Sequence, residues 1–89
     1  MIFVVKLELF FSPVCPHCPK AKVLVKEVAS RYGEVDYIEV NTYTEEGIKR
    51  GMSMKVMAVP TVAIDDEIRL VGWPFMESDV IKAIEESLG

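Results

Sequence analysis

Three prolines, Pro13, Pro16 and Pro19, crowd the decapeptide FSPVCPHCPK at residues 11–20. No other stretch constrains the fold as tightly, because the hydrophobic period changes across it. Before it, Val5, Leu7, Leu9 and Phe11 alternate with Lys6 and Glu8, the pattern of a half-buried strand over residues 3–11. After it, Ala21, Leu24, Val25, Val28 and Tyr32 recur at helical spacing. A proline beyond the first turn breaks a helix, so Pro19 requires this one to begin at or just before the Cys15–Cys18 segment. Pro16 is expected in the first turn, where its missing N–H has no helical partner to lose. The prolines thus fix a strand-to-helix junction at the thiols.

The rest of the chain follows by punctuation. Gly33 reads as the C-terminal cap of the first helix, and EVDYIEVN as a second strand. A strand–helix–strand unit implies a parallel pair with a right-handed crossover. Thr44 is a candidate cap for a short helix through about Gly51, weakened by Gly47 inside it. TVAI, the turn DDE and IRLV form a hairpin, which Gly72-Trp73-Pro74 ends. Met76, Val80, Ile81, Ile84 and Leu88 then mark a terminal helix. The order is βαβαββα: an α/β chain whose four-stranded mixed sheet is flanked by three helices. Its 89 residues suffice for a single domain, 1–89.

The net charge of −4 and the dispersed basic residues exclude a phosphate-backbone partner, so no nucleic acid is expected. Four apolar residues between Met1 and Lys6 make neither a secretory leader nor a membrane span. A cytoplasmic protein is expected, without a membrane partner. In a reducing compartment the chain's two cysteines, Cys15 and Cys18, are redox-active or metal-binding rather than structural.

Both thiols fall at the helix start, where unpaired N–H groups and the positive end of the dipole favour a thiolate. Three residues apart, they lie on one side of that turn, close enough to form a disulfide. His17 between them can hold a thiolate by hydrogen bonding or by charge, which favours the reduced form and raises the potential. Trp73 is expected to be exposed, and Met57 to join it in an apolar collar for protein substrates. Phe75 and Met76 are expected to pack inside, and Lys20, Lys22 and Lys26 to form a solvated helix face.

CPHC after the first strand, AVPT at residues 58–61 and Gly72 after the last strand together resemble the thioredoxin superfamily over nearly the whole chain. Short length and an early active site look most like the small archaeal thioredoxin/glutaredoxin-like proteins. The resemblance implies a minimal thioredoxin-like fold and a dithiol–disulfide oxidoreductase. In it Cys15 attacks a substrate disulfide and Cys18 resolves the mixed disulfide, with Pro16 and His17 tuning the pair. It implies a cis Val59–Pro60 bond facing the cysteines, with the Val59 backbone free to pair with an extended substrate. Gly72 and Trp73 complete the substrate-binding set. The implied protein is a monomer with no cofactor beyond its redox-active disulfide. It acts on protein disulfides in electron transport and redox homeostasis, and is recharged by a separate reductase or a small thiol.

The chain also departs from these families. Thioredoxins carry a tryptophan before the first cysteine, where Val14 stands, and a buried aspartate six residues before it, where Leu9 stands. Glu8, one residue off, lies on the opposite strand face. Glutaredoxins place a lysine at the Ser12 position and a Gly-Gly pair with an aspartate for glutathione. Gly72-Trp73-Pro74 does not match, and Asp79 comes too late. CPHC also occurs in periplasmic disulfide oxidases, but nothing in the sequence suggests export. The alternative from another class is a small metal-binding module, holding Cu(I) or a bridged iron–sulfur cluster on the same cysteine pair. AVPT and the element order argue against it.

Overall fold

A computed structural model describes residues 4–88. Phe3, expected to open the first strand, lies outside the described residues, as does the start of the stretch weighed as a leader. The elements are β1 (Val5–Phe11), α1 (Cys18–Ser30), β2 (Val35–Asn41), α2 (Glu45–Ser53), β3 (Thr61–Ile64), β4 (Glu67–Val71) and α3 (Glu77–Leu88). The expected βαβαββα order is therefore the observed one.

The sheet runs β2-β1-β3-β4. β1 and β2 pair in parallel, Val5 opposite Val35 through Phe11 opposite Asn41. β3 runs antiparallel to β1 and to β4, with an irregularity at Val62/Ala63. Alternation decides the layers. Val5, Leu7 and Leu9 of β1 and Val62 and Ile64 of β3 meet Ala21, Val25 and Val28 of α1 and Val80, Ala83 and Ile84 of α3 in one core. The other face carries Glu8, which meets Arg50 of α2. The main core thus lies between the sheet and α1/α3, directly behind the cysteine junction.

Two boundaries differ from the sequence expectation. α1 begins at Cys18, so Pro19, not Pro16, takes the first-turn position, and Cys15 and Pro16 precede the helix. α1 also ends at Ser30, before Gly33. The amides of Arg31 and Tyr32 donate to the carbonyls of Val28 and Ala29, both at 3.1 Å, and close the last turn without a left-handed glycine. α2 starts as expected, with the Thr44 hydroxyl accepting from the Gly47 N–H at 3.0 Å. Gly47 is required for packing rather than merely tolerated. A Cβ on it would fall 1.7 Å from the Asn41 carbonyl oxygen.

The hairpin loop Asp65-Asp66 has φ of 49° and 67°. Both residues are left-handed, as a two-residue loop between twisted strands demands, and aspartate tolerates this. Asp65 also ties the loop to β1. Its carboxylate accepts from the Lys6 N–H, and its own N–H donates to the Lys6 carbonyl, both at 2.9 Å.

Candidate active site

The site is built where β1 stops and α1 starts. The Ser12 carbonyl accepts from the Cys15 N–H at 3.1 Å, and the Ser12 hydroxyl accepts from the Val14 N–H at 3.2 Å. These bonds turn residues 12–15 into a tight bend. The Cys15 carbonyl then accepts from the Cys18 N–H at 3.4 Å. His17 takes the N-cap position of α1, is exposed, and makes no capping bond through its side chain. Both cysteines are free thiols with unequal surroundings. Cys15 is half-buried, whereas Cys18 is 1% exposed.

That burial dominates the chemistry of Cys18. It pushes the thiol from its ordinary 9.0 up to about 11, and the hydrogen bond to Cys15 adds to the rise. The Ser12 backbone amide, then the charge of Lys22, act in the opposite sense. Cys18 thus keeps its proton at neutral pH.

Opposite the cysteines lies the loop before β3. The Val59–Pro60 bond is cis, as expected, and the Cys15 thiol reaches the Val59 carbonyl at 3.8 Å. The Thr61 hydroxyl donates to the Ala58 carbonyl at 2.6 Å and spans the loop from below. Gly72, left-handed at φ 77°, donates its N–H to the Pro60 carbonyl at 2.8 Å. Cys15, Cys18, Val59, Pro60 and Gly72 are therefore assembled into one region from three separate parts of the chain.

Trp73 departs from expectation. It is half-buried against the core, edge-on to Phe75 with ring centroids 5.1 Å apart, and its peptide bond to Pro74 is cis. Its free edge lines a groove of about 450 Å³ with Pro19, Val23 and Leu24. Phe75 is buried as expected. Met76 is 69% exposed, because α3 begins just after it and turns its stripe inward from Val80. Met57 is 91% exposed. On the α2 side, Val59 opens into a groove of about 290 Å³ lined by Ile48, Met52 and Met57.

Two contributors are not singled out by the sequence. Ser12 is buried and shapes the bend, though its position immediately after a strand and before a proline is a turn signal. Lys22 leaves its expected place among solvated lysines and lies over the Phe11 ring, 3.9 Å from the centroid. Its spacing of four from Cys18 was the available clue. Among the described residues, no group of three or more His, Cys, Asp or Glu side chains is gathered where it could hold a metal ion. None of their helices is long and apolar enough to cross a membrane.

A C-x-x-C pair at a strand-to-helix junction, facing a cis-proline loop in a four-stranded mixed sheet, defines a thiol–disulfide oxidoreductase of thioredoxin-like fold. The sequence model of the thioredoxin domain matches residues 5–86. A thioredoxin of Methanocaldococcus jannaschii is 42% identical over 87 residues, covering 94% of this chain and 96% of its own. A probable thioredoxin of Methanothermobacter marburgensis is 38% identical over 88 residues, covering 96% of this chain and 98% of its own. The chain belongs to the thioredoxin family. Among solved structures, thioredoxin f2 in complex with ferredoxin:thioredoxin reductase superposes with a TM-score of 0.78 at 15% identity, over 97% of this chain and 79% of its own. Oxidized thioredoxin O2 of Arabidopsis thaliana gives 0.73 at 20% identity, over 96% and 75%. These two likenesses concern the fold.

Proposed function

We propose that Cys15 is the nucleophile and Cys18 the resolving thiol of a protein-disulfide reductase. The single observation that carries this reading is the unequal access of the two sulfurs, one half-buried and one 1% exposed. The Cys15 thiolate attacks one sulfur of a substrate disulfide, the second substrate sulfur leaves as a thiolate, and a mixed disulfide forms. Cys18 then attacks the Cys15 sulfur, the substrate's remaining sulfur departs, and a Cys15–Cys18 disulfide is left. Two electrons pass from the pair to the substrate.

The Val59 backbone, beside Cys15, offers an extended substrate chain a strand partner, with Pro60 and Gly72 fixing its place. Trp73, Pro16 and His17 shape the rim. The protein acts as a monomer in the cytoplasm without a bound cofactor, and a separate reductase or small thiol recharges it. That the relative of like fold is seen with its reductase supports such a donor.

The test is a pair of variants assayed on a protein disulfide. Cys15→Ser abolishes reduction, and Cys18→Ser accumulates a covalent mixed disulfide. A Cys15→Ser protein that reduces the substrate at the wild-type rate overturns the assignment.

A further inference from the structure

We propose that Lys22, held over the Phe11 ring and partly offset by Glu39, is the charged positioning residue for the resolving step at Cys18. This inference rests on the roles given above to Cys15 and Cys18.

Cys18 must give up its proton before it can attack, yet it is buried. On the core-facing side β1 presents Val5, Leu7 and Leu9, all buried and none able to carry charge. The strand's one carboxylate, Glu8, faces the opposite layer and is occupied by Arg50. The charge that reaches Cys18 comes from elsewhere. Lys22 lies one helical turn after Cys18 on the same side of α1, where residues four apart are neighbours.

Two contacts deny Lys22 the freedom of a surface lysine. Its ammonium lies 3.9 Å from the Phe11 ring centroid, a cation–π distance, and Phe11 is the last residue of β1 before the junction. It also lies 3.8 Å from Glu39 Oε1 on β2. Glu39 is itself oriented by the Tyr37 hydroxyl, which donates to its Oε2 at 2.8 Å. Lys20 and Lys26, on the same helix, are exposed. α3 packs on α1 too, but its four carboxylates are engaged elsewhere: Glu77 by Arg31, Glu85 by Tyr32, Glu86 by Arg69 and Asp79 by the Met76 N–H. Burial and Cys15 hold the Cys18 thiol up, while the Ser12 amide and then the charge of Lys22 act to lower it.

In the resolving step the electron pair of the Cys18 thiolate forms a bond to the Cys15 sulfur while the Cys15–substrate bond breaks. The substrate leaves as a thiolate and takes up a proton in place of the one Cys18 lost. The two cysteines are oxidised and the substrate sulfur is reduced. Lys22 stabilises the thiolate in the moment before attack. The Phe11 ring holds the Lys22 ammonium there while Glu39 offsets part of its charge, so Lys22 and Glu39 pull the step in opposite directions.

The experiment follows release of substrate from a preformed Cys15 mixed disulfide against pH, in wild type, Lys22→Met, Lys22→Arg and Glu39→Gln. Losing the ammonium lowers the thiolate fraction about tenfold per unit of rise in thiol pKa, while the greater basicity returns about threefold. The net slowing is about threefold per unit. Lys22→Met should therefore move the rising limb of the profile to higher pH and slow release at pH 7 by about threefold for each unit the limb moves. Lys22→Arg should restore both, and Glu39→Gln should move the limb to lower pH. A limb that stays in place in both Lys22→Met and Glu39→Gln overturns the proposal. So does a limb that moves upward in Glu39→Gln, the variant that remains informative should Lys22→Met fail to fold. If Cys18→Ser accumulates no mixed disulfide, the role assignment itself falls, and the proposal with it. A trapped mixed disulfide with an unmoved limb overturns the proposal alone.

Discussion

Arg50 of α2 clasps the carboxylate of Glu8 in β1 through two hydrogen bonds, Nε to Oε2 at 2.9 Å and Nη2 to Oε1 at 2.6 Å. Glu8 is 4% exposed, so this fork supplies most of what water would otherwise give a carboxylate. Arg50 also pairs with Asp66 of the hairpin loop, and Lys6 reaches Asp66 at 3.1 Å and Glu8 at 3.8 Å. One arginine therefore joins α2, β1 and the β3–β4 loop. Breaking a buried ion pair costs about 3–5 kcal/mol when nothing replaces it. With Lys6 still near, Arg50→Ala is expected to lower unfolding free energy by about 2–3 kcal/mol. The double variant Glu8→Leu/Arg50→Leu should recover part of that loss, because an apolar pair leaves no carboxylate stranded. Urea unfolding of the three proteins checks it. A double variant less stable than Arg50→Ala contradicts it.

Gly47 offers a second test on the same side of the sheet. The Cβ of an alanine there would lie 1.7 Å from the Asn41 carbonyl oxygen, a backbone atom that cannot swing aside. Either α2 or the end of β2 must move. Gly47→Ala is expected to cost roughly 1–3 kcal/mol, in the range of overpacked sites. Gly33→Ala is the control. Nothing lies within 4 Å of its Cβ, so it should change stability by less than about 0.5 kcal/mol. Equal melting temperatures for the two variants would refute the close approach.

These two sites mark what the sequence reveals and what it conceals. Element order, the parallel β1–β2 pair, the hairpin and the Thr44 cap were all legible, because each rests on local periodicity or on one residue's backbone preference. The cysteine junction was legible for the same reason, since prolines act on the residues beside them. Arg50 was not, because nothing local distinguishes it from Lys49. Its importance arises only when the crossover sets α2 over Glu8. Gly47 looked like a weakness by helix propensity, and only the nearby Asn41 carbonyl makes it a requirement. Trp73 was misplaced because a tryptophan between glycine and proline reads as a loop tip. The fold instead lays it along α1 and against Phe75. Pro16 was expected in the first turn because both prolines fit the rule, and only the bend at residues 12–15 delays the helix until Pro19 fills that place.

Reduction state should couple to stability at alkaline pH. Burial favours the protonated Cys18 thiol, raising it from 9.0 to about 11, so the unfolded chain ionises first as pH rises. Below pH 9 both states keep the proton and the thiol contributes fully to stability. Between pH 9 and 11 the unfolded chain releases it while the folded chain does not, and stability falls. Above pH 11 both are ionised and the contribution is gone. The loss totals about 2–3 kcal/mol. The oxidised protein has no thiol to titrate and should not show it. Urea midpoints of reduced and oxidised protein, compared from pH 7 to pH 11, should show the reduced form falling relative to the oxidised form above pH 9. Curves that stay parallel across this range would exclude a perturbed Cys18.

Met57 provides the test of where substrates dock. It is 91% exposed, two residues before the Val59 carbonyl that contacts Cys15, and it borders the groove formed with Ile48 and Met52. A flexible thioether suits a surface that must accept varied apolar side chains. Removing it should forfeit about 1 kcal/mol of apolar contact with a protein substrate, roughly fivefold in affinity. A small aromatic disulfide reaches Cys15 without covering the groove. Met57→Ser should therefore lower kcat/KM for a protein disulfide about fivefold more than for the small one, with the change falling mainly on KM. Its melting temperature should not drop, since the side chain packs on little of its own molecule. If both substrates slow by the same factor, the groove is not where protein substrates bind, and docking shifts to the Trp73 side of Cys15.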